Sequence, residues 1–367
     1  MDYPAESVLT VSDDLPLRVA RPIHSGKVRS VYFLEPRDSR RLIEERGYPI
    51  APDSDLAIMV ISDRLSAFDC LWHSESLAGV PGKGAALNAI AAHWFDTLSR
   101  ADAPAHHLLE MPHPMLWVVR QARPLMIEAI ARRYLTGSLW RAYARGERTV
   151  GGVSLPDGLQ QYALLPQLLF TPSTKGVIEG LEGVPETDDA PLSPEAIRRH
   201  FAAFGLQSAA QLDECIRALT LGFEQIEHAL AAQGEMLVDT KFEFGLAPTL
   251  EGSTELIYMD EVGTPDSSRI WSRTDWESGA PREHSKEQFR ESLLGWVPDS
   301  QMLLDPTRMP ERIAFAREQA VPDRFFIELS TTYREQARRI LAKDLPPPDR
   351  PREAMLELLS EQFSLVI

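Results

Sequence analysis

The chain predicts an α+β fold, and three observations carry that prediction. Segments of strand character are followed by segments of helix character without a strict alternation of the two. The most regular amphipathic pattern, Leu212, Ile216, Leu219, Phe223, Ile226 and Leu230 at spacings of four and three, stands directly before the alternating stretch GEMLVDTKFEFG. At 367 residues with 44% hydrophobic side chains, the chain can bury a sizeable core divided between two or three lobes.

Residues 28–34, VRSVYFL, are rich in β-branched and aromatic side chains, and residues 57–61 continue that character after a loop containing Pro49 and Pro52; both are predicted strands. The stretch GKGAALNAIAAHWFDTLSR places Leu87, Ile90, Ala91, Trp94, Phe95 and Leu98 on one face of a helix whose start is marked by Pro81 and Gly82. Residues 115–121 and 125–134 are strand candidates, with a connecting turn expected at Pro124. Residues 146–194 hold many of the glycines and prolines and an acidic patch at Glu186, Asp188 and Asp189, the composition of a loop. The 212–230 helix follows and is stopped by Gly234. After GEMLVDTKFEFG, a second strand is predicted at 255–262 and helices at 285–294 and 324–341. Pro346, Pro347 and Pro348 form a stiff break before a short terminal helix.

Acidic residues outnumber basic ones by 54 to 38, a formal net charge of -16, and such a surface repels a nucleic-acid backbone or an anionic membrane. Neither is an expected partner. If small anions such as nucleotides are the ligands, the cations that contact them must be gathered locally, which directs attention to clustered Lys and Arg. The two cysteines, Cys70 and Cys215, lie far apart without metal-ligand spacing, so neither a disulfide framework nor a zinc site is expected, and a reducing cytoplasm fits. The N-terminal stretch carries acids and prolines rather than the basic start and apolar run of an export signal, and the apolar runs are far shorter than the roughly 20 residues of a membrane helix.

In a strand, LVDTKFEFG puts Leu237, Asp239, Lys241 and Glu243 on one face and Val238, Thr240, Phe242 and Phe244 on the other. The charged face is either a solvated sheet surface with cross-strand ion pairs or a functional site. The next strand, ELIYMDEV, can fold back as a hairpin partner and bring Asp260 near Glu243. Two carboxylates from adjacent strands suit Mg2+, a hard cation that keeps waters and bridges phosphates, and so suggest a nucleotide site. The following GTPDSSRIW makes a tight turn that presents Arg269, either to grip a phosphate by two hydrogen bonds or to form an exposed ion pair.

A second basic cluster lies in IEAIARRYLTGSLWRAY. Arg132 and Arg133 leave a strand candidate, and TGS opens a helix-like run with Ser138 near its first turn, where free amides bind anions; Thr136 or Ser138 can equally serve as a simple cap. Near the N-terminus, HSGKVRSVYFL sets Gly26 and Lys27 just before a strand, with Arg29 on the same face as Lys27. Such a loop can cover a nucleotide's phosphates, although its spacing is not that of a Walker motif.

Taken together, GKVRSVY, ISDRLSAFD, IARRYLTGSLW, FTPSTK, LVDTKFEFG and MDEVGTPDSSRIW resemble the phosphoribosylaminoimidazole-succinocarboxamide synthase family, in the family's order, from about Gly26 to about Leu293. The resemblance implies a β-rich ATP-binding lobe packed on a larger α/β lobe, loosely similar to ATP-grasp enzymes and kinases. It divides the chain into that N-terminal lobe at 1–122, a substrate- and ATP-binding lobe at 123–296, and a C-terminal helical extension at 297–367. By the same resemblance Lys27 and Arg29 match the phosphate-covering strand, and Glu243 and Asp260 match positions that hold Mg2+ and ATP. Arg132, Ser138 and Arg269 match contacts to the imidazole nucleotide's phosphate, while Asp239 and Lys241 match residues where nucleotide and aspartate meet. Asp69 of SAFD and Arg290 of FRESL match substrate-binding positions. After FTPSTK the family often shows His, Asp and Glu together; here the His is absent from GVIEGLEGVPETDDAPLS and Asp188 keeps the acidic role. The tail beyond about Val297 is longer than in compact members.

The activity implied by the resemblance joins L-aspartate to 5-amino-1-(5-phosphoribosyl)imidazole-4-carboxylate (CAIR), with ATP as co-substrate and Mg2+ as cofactor. A carboxylate is inert to an amine because its oxygen is a poor leaving group. Phosphorylation by ATP gives an acyl phosphate that the amine attacks, so cations that stabilise developing charge do most of the work. Two other classes share parts of this pattern: a small-molecule kinase, and a nucleotide-binding regulatory module in which the acidic pair is structural.

Overall fold

A computed structural model describes residues 5–367 of the chain; residues 1–4, the start of the stretch read as lacking an export signal, lie outside it. The chain forms two compact units. The first takes the residues up to Ala92, then Leu108–Gln121 and His284–Ile367, and the second takes His93–His107 and Ala122–Glu283.

The first unit is built on an antiparallel sheet of five strands, β1 (His24–Ser25), β2 (Arg29–Phe33), β3 (Leu56–Ile61), β6 (Leu108–His113) and β7 (Leu116–Arg120), in the order β1-β2-β3-β7-β6; β4 (Leu65–Ala67) and β5 (Cys70–Trp72) form a separate hairpin. β3 is central, and all six of its residues are buried, which is why LAIMVI is a continuous apolar run rather than an alternating one. Between β2 and β3 stands a helix, Pro36–Arg46, where only a loop was expected. Its charged sequence PRDSRRLIEER buries only Leu42 and Ile43 among its apolar residues, so the helical period is faint. Its end signals are the ordinary ones: Pro36 opens the first turn, and Gly47 at φ 65° returns its amide to the Ile43 carbonyl.

The Lys83–Arg100 helix begins in this unit, where the buried Asp63 carboxylate accepts the Gly84 amide at 2.9 Å and the Leu9 amide at 2.9 Å. The C-terminal helices Glu287–Trp296, Ser300–Leu304, Met309–Glu318, Asp323–Leu341 and Pro351–Glu361 also belong to the first unit. Asp323–Leu341 buries Phe326, Leu329, Tyr333 and Ala337 at helical spacing, as its pattern predicts.

The second unit is organised by one long strand. β13 (Glu235–Pro248) pairs along one edge with β8 (Arg123–Tyr134) and along the other with β15 (Ser268–Ser272) and then β14 (Thr254–Met259). β11 (Leu164–Phe170) and β12 (Ser173–Thr174) complete the sheet on β8, and β9 (Thr149–Val150) and β10 (Val153–Ser154) make a small ribbon. The Gln211–Ala231 helix covers this sheet with Leu212, Leu219, Phe223, Ile226 and Leu230, the residues its period selects. Two expectations are corrected. The 146–194 region is not all loop: LLPQLLF is an edge strand, and its Pro166 is tolerated because the pairing with β8 is irregular between Leu164 and Leu169. Pro124 likewise makes no turn but lies inside β8, opposite Gly245 and next to a register shift.

Candidate functional site

The alternation of β13 sends Asp239, Lys241 and Glu243 to one face, and register decides what each of them meets. Asp239 is opposite Arg132 of β8 on one side and Arg269 of β15 on the other. Its Oδ2 accepts from Arg132 Nη1 at 3.2 Å and from Arg269 Nη1 at 2.6 Å, and all three side chains are largely buried. Arg132 Nε also donates to Thr171 Oγ1 at 2.9 Å. One carboxylate thus holds two guanidinium groups in place, on three adjacent strands.

Arg269 lies against Gly137, which opens the Gly137–Ala144 helix at φ 58°. A methyl group on Gly137 would stand 2.7 Å from Arg269 Nη2, so the TGS word needs its glycine both for the left-handed backbone and for the guanidinium beside it. Ser138 follows in the first turn and is exposed; the extended Thr136 makes no side-chain cap there. This end of the sheet thus sets two guanidinium groups beside a helix amino terminus, an arrangement suited to a phosphate monoester. Its neighbour Arg133 points elsewhere, making a two-pronged pair with Glu227 at 2.9 Å and 2.9 Å, with its guanidinium over Phe223.

Two residues along β13 the charge pattern inverts. Lys241 donates to Glu128 Oε1 at 2.5 Å and to Glu243 Oε1 at 3.1 Å, and Glu243 is directly opposite Glu128 in the ladder. The other oxygen of Glu243 takes the ammonium of Lys175, and Ser173 Oγ donates to Glu128 Oε2 at 3.1 Å. Burial alone would raise the Glu243 carboxyl, but Lys241 and Lys175 together outweigh it and hold the group below the usual carboxylate range. Burial would likewise lower the Lys241 ammonium, yet Glu243 and Glu128, with a smaller contribution from Asp260, raise it. The hairpin expected from ELIYMDEV forms, with Glu243 opposite Met259, and the next residue, Asp260, turns the chain at φ 54° while its carbonyl meets His107 Nε2 at 3.2 Å. Asp188 is exposed and caps the Lys175–Gly176 turn through the Gly176 amide at 2.6 Å.

The remaining predicted residues belong to the first unit. Lys27 stands in the β1–β2 turn, exposed and paired with Asp69. Arg29 opens β2 and is buried, its guanidinium 5.9 Å from the centre of the Trp117 ring. The expected common face does not extend to this pair, because the strand and its alternation start only at Arg29. Asp69 occupies the β4–β5 turn, and Arg290 makes a helical pair with Glu287 at 2.9 Å. Sequence reasoning missed Glu128, Lys175 and Thr171. The signal for Glu128 was present, since it alternates with Arg132 along β8 as Glu243 does with Asp239 along β13.

Comparison with known proteins follows the same lines. A family model described as SAICAR synthetase matches residues 22–302. The phosphoribosylaminoimidazole-succinocarboxamide synthase of Vibrio cholerae is 50% identical over 363 residues, covering 99% of each chain. Among solved structures, SAICAR-synthase from Saccharomyces cerevisiae complexed with SAICAR is 23% identical, with a TM-score of 0.64 over 92% of this chain and 99% of that one. A SAICAR synthetase in complex with ADP is 19% identical, with a TM-score of 0.56 over 88% of this chain and 99% of that one.

Proposed function

The chain belongs to the SAICAR synthetase family, and on that premise we propose that it is an ATP-dependent carboxylate-amine ligase that joins L-aspartate to CAIR through an acyl phosphate, releasing SAICAR, ADP and phosphate. The observation that carries the reading is Asp239 gripped between Arg132 and Arg269 beside the TGS helix, in a chain 50% identical over nearly its full length to such an enzyme. SAICAR and ADP in the solved relatives support the choice of substrates.

In this reading Arg132 and Arg269, with Ser138, hold the phosphate of CAIR, and Asp239 positions the two guanidinium groups for it. Lys241 and Asp239 line the point where nucleotide and aspartate meet, and Asp188 and Arg290 complete substrate binding. Lys27 and Arg29 attend the phosphates of ATP, and the N-terminal 1–122 segment is the ATP-binding lobe. Glu243 and Asp260 would hold Mg2+. Glu243 stays ionised, as an oxygen ligand to a hard cation must be; its two oxygens take the ammonium groups of Lys175 and Lys241, and Mg2+ would take the place of at least one of them. Mg2+ supplies neutralisation of the charge that develops in phosphoryl transfer. A cytoplasmic location goes with this reading, consistent with two buried free cysteines. Among the described residues no helix is long and apolar enough to cross a membrane.

The test is ADP release from ATP and CAIR with L-aspartate present or omitted, followed by mass analysis of the product. An aspartate-dependent amide is the expected product. ADP with only a phosphorylated product would make the protein a kinase, and ATP binding without turnover would make it a regulatory module.

A further inference from the structure

The β4–β5 hairpin, part of ISDRLSAFD, turns on two residues. Leu65 pairs with Trp72, Ser66 with Leu71 and Ala67 with Cys70, so Phe68 and Asp69 alone form the loop, at φ 51° and 62°. Two left-handed residues in a two-residue hairpin loop make a turn that ordinarily takes Asn-Gly; Asp tolerates the left-handed region better than most side chains, and the strain falls chiefly on the bulky Phe68. Something must hold it. Arg312, on the Met309–Glu318 helix and outside the 22–302 span matched by the family model, is 4% exposed and directs its guanidinium to three main-chain carbonyls. Nε donates to Met302 O at 3.2 Å, Nη2 to Asp305 O at 2.9 Å and Nη1 to Phe68 O at 2.9 Å.

The Phe68 carbonyl belongs to the peptide between the two left-handed residues. Rotation of that peptide is the movement that would let Asp69 leave the left-handed region, and it would carry the carbonyl away from Arg312. The same helix braces the hairpin a second time, with Phe315 edge-on to Trp72 at 6.4 Å. Asp69, so held, is exposed and paired with Lys27.

We propose that Arg312 is a positioning residue for ligand binding: it locks the Phe68–Asp69 turn and thereby fixes Asp69 and its partner Lys27 in the geometry that ligand meets. The C-terminal segment is then a working part of this site rather than an appendage. The proposal rests on the reading of Asp69 and Lys27 as binding residues.

The experiment measures kcat, the KM of CAIR, aspartate and ATP, and the melting temperature for Asp69→Ala, Arg312→Met, Phe68→Asn and the Arg312→Met, Phe68→Asn double variant. Asp69→Ala identifies the ligand concerned by the KM that rises. Arg312→Met raises that same KM about tenfold, the size of one strained residue's preference, and changes kcat by less than about twofold. Asn at position 68 favours the left-handed turn by itself, so Phe68→Asn alone keeps the parent KM and the double variant returns to within about threefold of it. Parent KM values in Arg312→Met overturn the proposal while leaving the Asp69 reading intact. Unaltered KM values in Asp69→Ala overturn both. A double variant that melts with the parent yet keeps the raised KM shows that Arg312 does not act through the turn. If Arg312→Met fails to fold, recovery of folding and KM by Phe68→Asn supports the lock, and failure to recover refutes it.

Discussion

Lys241→Met tests what the charged row of β13 is for. The substitution keeps an unbranched apolar stem and removes the ammonium that joins Glu128 and Glu243, two carboxylates directly opposite each other across the β8–β13 ladder. Their side chains are 14% and 11% exposed, so water cannot replace the lost cation. Breaking a buried pair by removing one partner costs about 3–5 kcal/mol, and the lower end, about 3 kcal/mol, applies because Lys241 itself is part-exposed and Lys175 remains on Glu243.

The pH dependence has a definite sign. In the parent, Glu243 is held below its ordinary value, so its contribution is present above the unfolded pKa near about 4.3 and is lost as pH falls through the lower folded value. Lys241 is raised, so its contribution is complete below about pH 10 and is lost only as pH rises through the folded value. In the variant Glu243 loses the larger of the two charges that hold its carboxyl down, so that carboxyl moves upward and the fold gains stability relative to the parent as pH falls and Glu243 takes a proton. The two curves therefore converge on acidification. Urea unfolding followed by tryptophan fluorescence at about pH 7.5 and about pH 5.5 measures this, with a deficit of about 3 kcal/mol at the first and a clearly smaller one at the second. A variant as stable as the parent at the higher pH, or a deficit that does not shrink on acidification, would refute the neutralising role.

Arg269→Ala is expected to raise the KM of CAIR by about tenfold or more and Ser138→Ala by less, with the KM of ATP nearly unchanged in steady-state assays; the reverse ordering moves both residues to the ATP site. Glu243→Gln and Asp260→Asn should each raise the Mg2+ concentration for half-maximal rate by about tenfold or more, and a normal Mg2+ titration in both would remove them from the metal site. Asp63 in the first unit has the opposite sign from Glu243: burial pushes it up to about 6 despite the Gly84 and Leu9 amides and Lys83, so its ionised form weakens the fold above about pH 6, and the penalty is relieved as pH falls toward about 4. Asp63→Asn should abolish that rise in melting temperature on acidification, and a variant whose pH profile parallels the parent's would show that Asp63 does not titrate in this range.

What could be read from the sequence depended on whether its signal was local. The β13 row was legible because alternation is a property of one strand, and the 211–231 helix because its apolar period repeats over five turns. The loop-like region 146–194 misled because Gly and Pro are common there, yet an edge strand tolerates Pro166 where a central strand would not. The partners of the row were harder. Lys175 reaches Glu243 only because β12 docks on β8, with Thr174 opposite Ile127 and Ser173 opposite Glu128, a register between segments almost fifty residues apart. No pattern within FTPSTK announces it. Burial of the charged face was also hidden, since alternation tells which residues share a face and not whether water reaches it.

The β4–β5 hairpin escaped prediction for a different reason. A two-residue hairpin is recognised from sequence by Asn-Gly or its equivalents, and this one uses Phe-Asp. The same departure from turn chemistry that conceals the hairpin is what makes it dependent on a distant side chain, because a turn that its own residues disfavour persists only where other groups hold it. Asp260, left-handed at the end of the β14 hairpin, breaks local preference in the same way beside the Lys241 cluster of the second unit. Local rules fail here at residues assigned to binding, as expected when a chemical group must be presented at an angle that relaxed backbone does not supply. For Phe68–Asp69 the compensation is visible as Arg312 and its three carbonyls, so the strain and its support can be tested as a pair by changing residue 68 and residue 312 together.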